Sequence, residues 1–188
     1  NYVHPEDRKR NQELFEPLIN RKKDYCRHTI RYLTKSGGYK WIEVFARLTF
    51  DEKDNIIGTT GTLNDLTARK QSEEEIRKLS RAVETTPSAI MLADLKGTIE
   101  YVNPGLLQMG GYNSSDDILG KNIFEFSNDH GRKILTEDIF PVLMQDKTWT
   151  GEVKIKKADN SFLPVELIFS VVFDENDKPQ YYLAVFYD

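Results

Sequence analysis

The sequence has 188 residues, of which 39% are hydrophobic and 11% aromatic, a composition that allows one or two ordinary hydrophobic cores and excludes disorder. Its 26 basic and 30 acidic residues are interspersed and give a net charge of −4, which excludes the basic surface expected of a protein that binds nucleic acid or an anionic membrane. The single cysteine, Cys26, excludes an internal disulfide and is typical of a reducing compartment, so we expect a cytoplasmic segment. No apolar run approaches about 18 residues, and we therefore expect no membrane contact by this segment.

The first third of the chain predicts one helix followed by an antiparallel meander of three strands. Acidic residues at 6–7 precede apolar residues spaced by three and four at 14–19, which is the pattern of an amphipathic helix. Apolar and polar residues then alternate on both sides of a Ser-Gly-Gly sequence at 36–38, which predicts a hairpin. A polar turn at 51–55 leads into a third strand at 56–63.

A charged segment without glycine or proline follows at 66–84 and predicts a helix. Ile76, Leu79 and Val83, which we call the seam, recur at the spacing of a coiled-coil interface. Two interpretations stay open. The segment is either a linker helix that pairs with the same helix of a second chain, or a helix that packs back on its own domain.

The remaining sequence predicts a complete second α+β module. Strands at 89–93 and 98–102 are separated by a turn at 94–97, and Asn103-Pro104 supplies the N-cap and the first residue of a helix. Further helical segments follow. The module ends with three strands, at 149–157, 162–172 and 180–187.

The last three strands repeat the first three. If 123 is added to residue numbers at 29–65, Glu43 aligns with Glu166 and Asp65 with Asp188 without a gap. A fixed long period with matched turns indicates one fold used twice. The first copy lacks a counterpart of the opening strands and helices of the second. We therefore predict one complete copy and the C-terminal half of another.

Two series of short motifs lie along the chain. The second copy has Asp94, Gly97, Ile99, Tyr101-Val102-Asn103-Pro104, Gly111-Tyr112 and Ile118-Leu119-Gly120-Lys121-Asn122. The first copy has His4-Pro5-Glu6-Asp7-Arg8, Lys35-Ser36-Gly37, Trp41-Ile42-Glu43 and Asp65-Leu66-Thr67-Ala68-Arg69-Lys70. In this order and spacing the first series resembles the front half of a PAS domain, and the second series resembles the back half and exit motif of another PAS domain.

The resemblance implies an α+β fold with a five-stranded antiparallel sheet flanked by helices. Residues 1–65 are then the C-terminal part, or PAC region, of a first PAS domain. Residues 66–84 are a helical signalling linker, and residues 85–188 are a complete second PAS domain. PAS domains are sensory modules strung along signalling helices, commonly in the sensor histidine kinases of two-component systems.

The function implied by the resemblance is signal transduction by a tandem PAS region of a sensor histidine kinase. Its linker helix would form a homodimer along the seam and pass a conformational change to a kinase or other output domain. Asp65, Thr67 and Asp188 are the expected relay residues, because they lie where a strand is followed by a helix. No catalytic motif occurs in this segment, so we do not expect it to be an enzyme itself.

The resemblance also bears on cofactors. Flavin-binding PAS domains carry a reactive cysteine, and Ile123 stands at its position here. In flavin-binding PAS domains, amide side chains contact the polar edge of the flavin, and their positions are occupied here by Ile155, Val165 and Phe186. Each polar group of a bound flavin would then lack a hydrogen-bond partner, at a cost of about 1–3 kcal/mol. The histidines are dispersed, and His130 lies at the start of the helix that carries the haem ligand in haem-binding relatives. We therefore expect neither flavin, haem nor another metal.

An apolar interior remains in the second copy and either packs solid or encloses a small apolar ligand. The large side chains in this set favour the solid core, whereas a sensor for a small apolar ligand is the alternative function. By alternation and by the family register the interior is lined by Met91, Ala93, Ile99, Leu106, Ile123, Ile155, Val165, Leu167, Phe169 and Phe186.

Overall fold

The computed structural model describes residues 2–187 of the chain. The chain divides between Lys78 and Leu79 into two units, which we call unit 1 and unit 2. Each unit has its own antiparallel sheet and its own buried hydrophobic residues. Among the described residues, no helix combines the length and the apolar composition that a membrane span needs.

Unit 1 confirms the predicted helix and three-stranded meander. A short 3₁₀ turn at Pro5–Asp7 is followed by helix α1 and by strands β1, β2 and β3 in that spatial order. Apolar residues of β1 and β2 alternate toward α1, whose Leu18 is fully buried. The elements span Arg8–Ile19 for α1, Cys26–Leu33 for β1, Tyr39–Phe50 for β2 and Ile56–Asp65 for β3.

Strand β3 is an edge of this sheet within the described residues. It pairs with β2 and with no other described strand. Its apolar side chains are partly solvent-exposed, with Ile57 at 66% and Leu63 at 65%. An open edge with exposed apolar groups is a site where another strand can add.

The turns that close the two meanders have the same structure. In the first, the Asp51 carboxylate accepts hydrogen bonds from the backbone N–H groups of Lys53 and Asn55 at 2.9 and 2.8 Å. In the second, Asp174 accepts the equivalent two bonds at 2.8 and 2.9 Å. The fourth residue of each turn is a left-handed aspartate, with φ of 61° and 58°. The internal repeat therefore extends to side-chain hydrogen bonds.

Helix α2 spans Thr67–Thr85 and contains no buried residue. Two of the three seam residues project into solvent, since Ile76 is 67% exposed and Leu79 is 63% exposed. Ion pairs stabilise the polar side of the helix. Arg69 contacts Glu73 at 2.8 Å, four residues along the chain.

Unit 2 has a five-stranded antiparallel sheet in the order β5-β4-β8-β7-β6, as predicted. The first strand of the module therefore pairs with the last, and the helical section packs on one face of the sheet. The elements are β4 Ala89–Asp94, β5 Ile99–Val102, α3 Pro104–Gly110, 3₁₀ turns at Ser115–Asp117 and Ile123–Phe126, α4 Asp129–Ile134, a π-helical segment at Leu135–Ile139, α5 Phe140–Asp146, β6 Thr148–Lys156, β7 Phe162–Phe173 and β8 Pro179–Tyr187.

The predicted amphipathic helix before the last three strands is interrupted by the π-helical segment. Pro141 has no N–H to donate to the carbonyl of Glu137, so an ordinary α-helical ladder cannot continue there. Leu135, Ile139 and Leu143 are spaced by four residues and are all buried. In an α-helix each such step would rotate the side chain by about 40°, and the wider π turn keeps the three on one face.

Candidate functional site: an apolar cavity and two helix junctions

An apolar cavity of about 70 Å³ lies inside unit 2. Ala93 and Val165 do not border it, although both are buried. The side chain of Ala93 is a single methyl group, and Val165 pairs with Val153 of β6, which borders the cavity in its place. The other eight residues predicted to line the interior do border the cavity: Met91, Ile99, Leu106, Ile123, Ile155, Leu167, Phe169 and Phe186.

Further lining residues come from the helical section, where strand alternation says nothing about which side chains face inward. Ile118 and Leu135 are buried side chains of this section, at 2% and 8% exposure. Tyr112 and Phe126 border the cavity with their rings in an edge-to-face arrangement, 6.1 Å between centroids. The Gly110-Gly111 pair before Tyr112 is the one sequence signal that could have indicated its position.

Tyr112 is held in place by its backbone and by its hydroxyl group. Gly111 is left-handed with φ of 69° and ends α3, and a Cβ atom on Gly110 would lie 2.5 Å from the Tyr112 ring. The Tyr112 hydroxyl donates a hydrogen bond to the carbonyl of Lys156 at 2.9 Å. Burial raises the pKa of Tyr112, with smaller effects from nearby carboxylates, so the hydroxyl stays protonated as a donor.

The volume of the cavity limits what it can hold. A water molecule occupies about 30 Å³ of liquid, so about two water-sized groups fit. Pockets for drug-sized ligands measure about 300–1,000 Å³. The interior is therefore a largely packed core with a small cavity, intermediate between the two alternatives that the sequence leaves open.

The first helix junction joins β3 to α2. Lys40 on β2 donates to the Asp65 carboxylate at 2.7 Å, and the same carboxylate accepts the backbone N–H of Thr67 at 2.9 Å. The Thr67 hydroxyl in turn accepts the backbone N–H of Trp41 at 2.9 Å. The Lys40 ammonium group, with Thr67, holds the pKa of Asp65 well below its usual range. Predicted relay residues Asp65 and Thr67 thus tie the start of α2 to β2, whereas Asp188 lies outside the described residues.

The second helix junction is formed by Asn103, which the sequence indicated only as an N-cap. Its side chain is completely buried. The amide NH₂ donates to the carbonyls of Val83 and Ser88 at 3.0 and 2.9 Å, and the amide oxygen accepts the N–H groups of Ile90 and Leu106 at 2.8 and 3.0 Å. All four hydrogen-bonding positions are used. Asn103 thereby connects the last turn of α2 with β4 and α3, which both contribute to the cavity wall.

The histidines do not converge on a metal site among residues 2–187, where no group of three His, Cys, Asp or Glu side chains has suitable geometry. His28 is buried on β1, and its Nε2 lies 2.9 Å from the Asn11 amide oxygen. Burial lowers the pKa of His28, which keeps its ring neutral. His130 lies at the first turn of α4 and is exposed.

Curated relatives of this chain include two kinases. Sporulation kinase A of Bacillus subtilis (strain 168) is 24% identical over 209 aligned positions, which cover 98% of this chain and 33% of the relative. Hybrid signal transduction histidine kinase L of Dictyostelium discoideum is 27% identical over 110 positions, which cover 58% of this chain and 6% of that protein. The chain therefore spans a third or less of the length of these relatives.

Solved structures share the fold of this chain over part of its length. The crystal structure of a PAS domain from Colwellia psychrerythraea matches 61% of this chain and 96% of its own length, with a TM-score of 0.57 and 21% identity. A family model described as PAS domain matches residues 87–188, and one described as PAS fold matches residues 1–63. The chain belongs to the PAS domain family.

Proposed function

We propose that this chain is the signal-transducing tandem PAS region of a sensor histidine kinase and that α2 relays conformational change. The observation that carries the proposal is the hydrogen bonding at both ends of α2. Thr67 at its start is bonded to β2, and Val83 near its end is bonded to Asn103. Movement of either sheet would act on a helix end through a short, directional contact.

The output domain of this proposal is a histidine kinase located elsewhere in the parent protein. Similarity to sporulation kinase A and to hybrid kinase L supports this assignment. The segment itself acts as a sensor and does not catalyse phosphoryl transfer. A cytoplasmic location agrees with the single reduced cysteine, Cys26, which is buried on β1.

The relay would operate in a homodimer formed along the seam. Ile76 and Leu79 are apolar, project from α2 and are more than 60% exposed. A second copy of α2 is the occupant that fits, because the same spacing on two parallel helices buries both rows together. Charged residues flank the row, as they do at the margins of a coiled coil.

Replacing Leu79 tests the dimer. Leu79→Asp would place a carboxylate in the seam, and we expect dimer dissociation to become at least about 10-fold easier, equivalent to about 1.4 kcal/mol. Light scattering over a concentration series measures the change. Arg77→Asp, an exposed position off the seam, is the matched control and should keep most of the dimer. A wild-type chain that stays monomeric at high concentration would overturn the proposed dimer.

A second candidate function is a sensor in which the cavity of unit 2 binds a small ligand. The cavity itself favours this function, since eight predicted lining residues enclose about 70 Å³ of apolar space. Occupancy would alter the packing of β4 and α3 and reach α2 through Asn103. The two candidate functions are compatible, because the first describes the output and the second the input.

Xenon tests whether the cavity accepts an apolar guest. We expect xenon to shift the methyl resonances of Leu135 and Leu167, because dry apolar cavities bind it. Leu135→Phe should abolish the shift by filling the space, and Leu135→Ala should increase it. An equal xenon response in all three proteins would rule out this cavity as the binding site.

We further propose that unit 2 binds neither flavin nor haem. Ile123 replaces the reactive cysteine of flavin-binding relatives, and the apolar lining offers no partners for polar ring edges. The small cavity volume supports the same conclusion. The purified chain is therefore expected to be colourless, and a visible absorption band from a stoichiometric chromophore would overturn the proposal.

A further inference from the structure

A polar cleft of about 180 Å³ adjoins the apolar cavity of unit 2. Tyr112, Phe126 and Lys156 border both spaces, so the two rings form the partition between them. The cleft is open toward solvent on the side of the β6–β7 turn. Its lining consists of Tyr112, Lys121, Glu125, Phe126, Lys156, Lys157, Ala158 and Asn160.

The lining of the cleft has an excess of positive charge. The lining contains three lysines and one glutamate, a net charge of +2; the lysines are Lys121, Lys156 and Lys157. Within residues 2–187 none of these three ammonium groups lies within 4.0 Å of a carboxylate. The Lys157 side chain lies over Gly111, where its Cε would be 4.0 Å from an added Cβ, which places it beside Tyr112.

The carboxylates around the cleft are engaged in local hydrogen bonds. Glu125 accepts the backbone N–H of Asn122 at 3.0 Å as part of a capping box. Two further acids, Asp117 and Asp159, lie close enough to raise the pKa of Tyr112 but do not line the cleft. Each of these two also accepts a backbone N–H of its own loop. Asp159 keeps its charge and attracts Lys157 at longer range, so the availability of the lysines to an external anion rests on the absence of an ion pair within 4.0 Å among residues 2–187.

We propose that unit 2 binds a short-chain aliphatic monocarboxylate, with its carboxylate in the lysine cleft and its alkyl group in the cavity. This inference rests on the ligand-sensing function proposed for the cavity and names the ligand class. Rotation of the Phe126 ring, which lacks the hydroxyl hydrogen bond that holds Tyr112, would admit the alkyl group. A cavity for about two water-sized groups limits that part to about two or three carbons.

The charge and the cavity together select this class over others. A cation is repelled by the net +2 of the cleft, and an inorganic anion leaves the apolar cavity empty. A neutral amide of the same shape fills the cavity but lacks the attraction to the lysines, which persists in a partly exposed cleft and weakens with added salt. Butyrate, butyramide and inorganic phosphate separate these contributions experimentally.

The test is a nuclear magnetic resonance titration of the whole 188-residue chain with these three probes. We expect butyrate to shift the Leu135 and Leu167 methyl groups and the Lys121 and Lys157 amides at concentrations at least 10-fold lower than butyramide does. Phosphate should move the amides and leave the methyl groups unchanged. Higher salt should weaken the response to butyrate and leave that to butyramide unaltered.

Charge-removing variants provide the control. The double substitution Lys121→Gln and Lys157→Gln should weaken butyrate binding about 10-fold and leave xenon binding intact. Lys178→Gln, in the turn that Asp174 closes, removes one charge elsewhere in unit 2 and should change neither. Both proteins should give the wild-type amide spectrum away from the substituted positions, which verifies that they fold.

The outcomes separate this inference from the function on which it rests. Equal affinity for butyrate and butyramide would overturn the role of the lysines, and butyrate shifts confined to the cleft would overturn the joint site. Xenon binding without butyrate binding would also refute the proposal that the ligand is a carboxylate, and the cavity would remain a candidate site for an apolar ligand. Failure of both probes would remove the ligand-sensing function itself.

Discussion

At the scale of single residues, unit 1 depends on one well-enclosed ion pair. The Asp7 carboxylate accepts the side-chain Nε and Nη2 of Arg31 at 3.0 and 2.8 Å and also its backbone N–H at 2.8 Å. The Asp7 side chain is 12% exposed, whereas Glu6, on the same guanidinium, is 74% exposed. The hydrogen bonds from Arg31 lower the pKa of Asp7 to about 2.

This pKa predicts acid sensitivity. The pKa of Asp7 in the folded protein lies below the ordinary value of 3.8, so the stabilisation is fully present above about pH 4 and is lost as the pH falls toward 2. Asp7→Asn should lower the stability at pH 7 and remove this part of the pH dependence, on the order of 2 kcal/mol. Glu6→Gln is the control and should change little. Urea unfolding of the three proteins between pH 2 and pH 7 measures how the free energy of unfolding depends on pH. The same pH dependence in Asp7→Asn and in the wild type would contradict the prediction.

The sequence predicted residues on strands better than residues in the helical section. Leu167 and Phe169 were placed inside by the period of two, and both are buried. The same alternation put Val165 at the cavity, whereas Val153, its partner on β6, borders the cavity instead. The sequence did not indicate the long-range hydrogen bonds of Tyr112 and Asn103. Their partners are the distant carbonyl groups of Lys156 and Val83, which no local pattern reveals.

At the scale of elements, the predicted helices and strands agree closely with those found, because each begins or ends at a residue with a local physical reason. Asn103 caps α3, Gly111 ends it, and Gly97 turns between β4 and β5 with φ of 82°. The π-helical segment was not predicted. It arises from the combination of Pro141 with four-residue spacing of buried side chains, and burial is known only after packing.

The junction between α2 and unit 2 gives a prediction at this scale. Asn103→Ala would remove the partners of two carbonyls, at Val83 and Ser88, and of the Ile90 N–H group, and we expect a loss of stability of about 3 kcal/mol or more. Hydrogen exchange in the last turn of α2, around Val83, should accelerate, while α1 in unit 1 should not change.

Asn122→Ala is the matched control for this experiment. Asn122 also caps a helical turn with its side-chain oxygen and donates one exposed hydrogen bond to the Lys96 carbonyl at 2.9 Å, but it belongs to a 3₁₀ turn and is only half-buried. We expect this substitution to cost about 1 kcal/mol. Equal losses in the two variants would show that the buried contacts of Asn103 with Val83 and Ser88 contribute no more than the one exposed bond of Asn122 to Lys96.

At the scale of the whole molecule, the repeat of 123 residues correctly indicated one fold used twice. The match is best at the turns, where Asp51 and Asp174 repeat the same hydrogen bonds. It is weaker inside the sheets. The cavity residues Leu167, Phe169 and Phe186 align with Val44, Ala46 and Leu63, which are mostly smaller.

These matched hairpins have a consequence for folding fidelity. During folding, the sheet of either unit could pair with the hairpin β2–β3 or with the hairpin β7–β8, because the two have the same register and the same turn structure. Misassembly of this kind is characteristic of tandem domains. If β2–β3 took the place of β7–β8, Ala46 would stand where Phe169 belongs. Removing a buried phenyl ring costs about 3–5 kcal/mol. The difference in side-chain size at this one position therefore makes the exchanged arrangement less stable than the native one, and so favours each hairpin in its own unit.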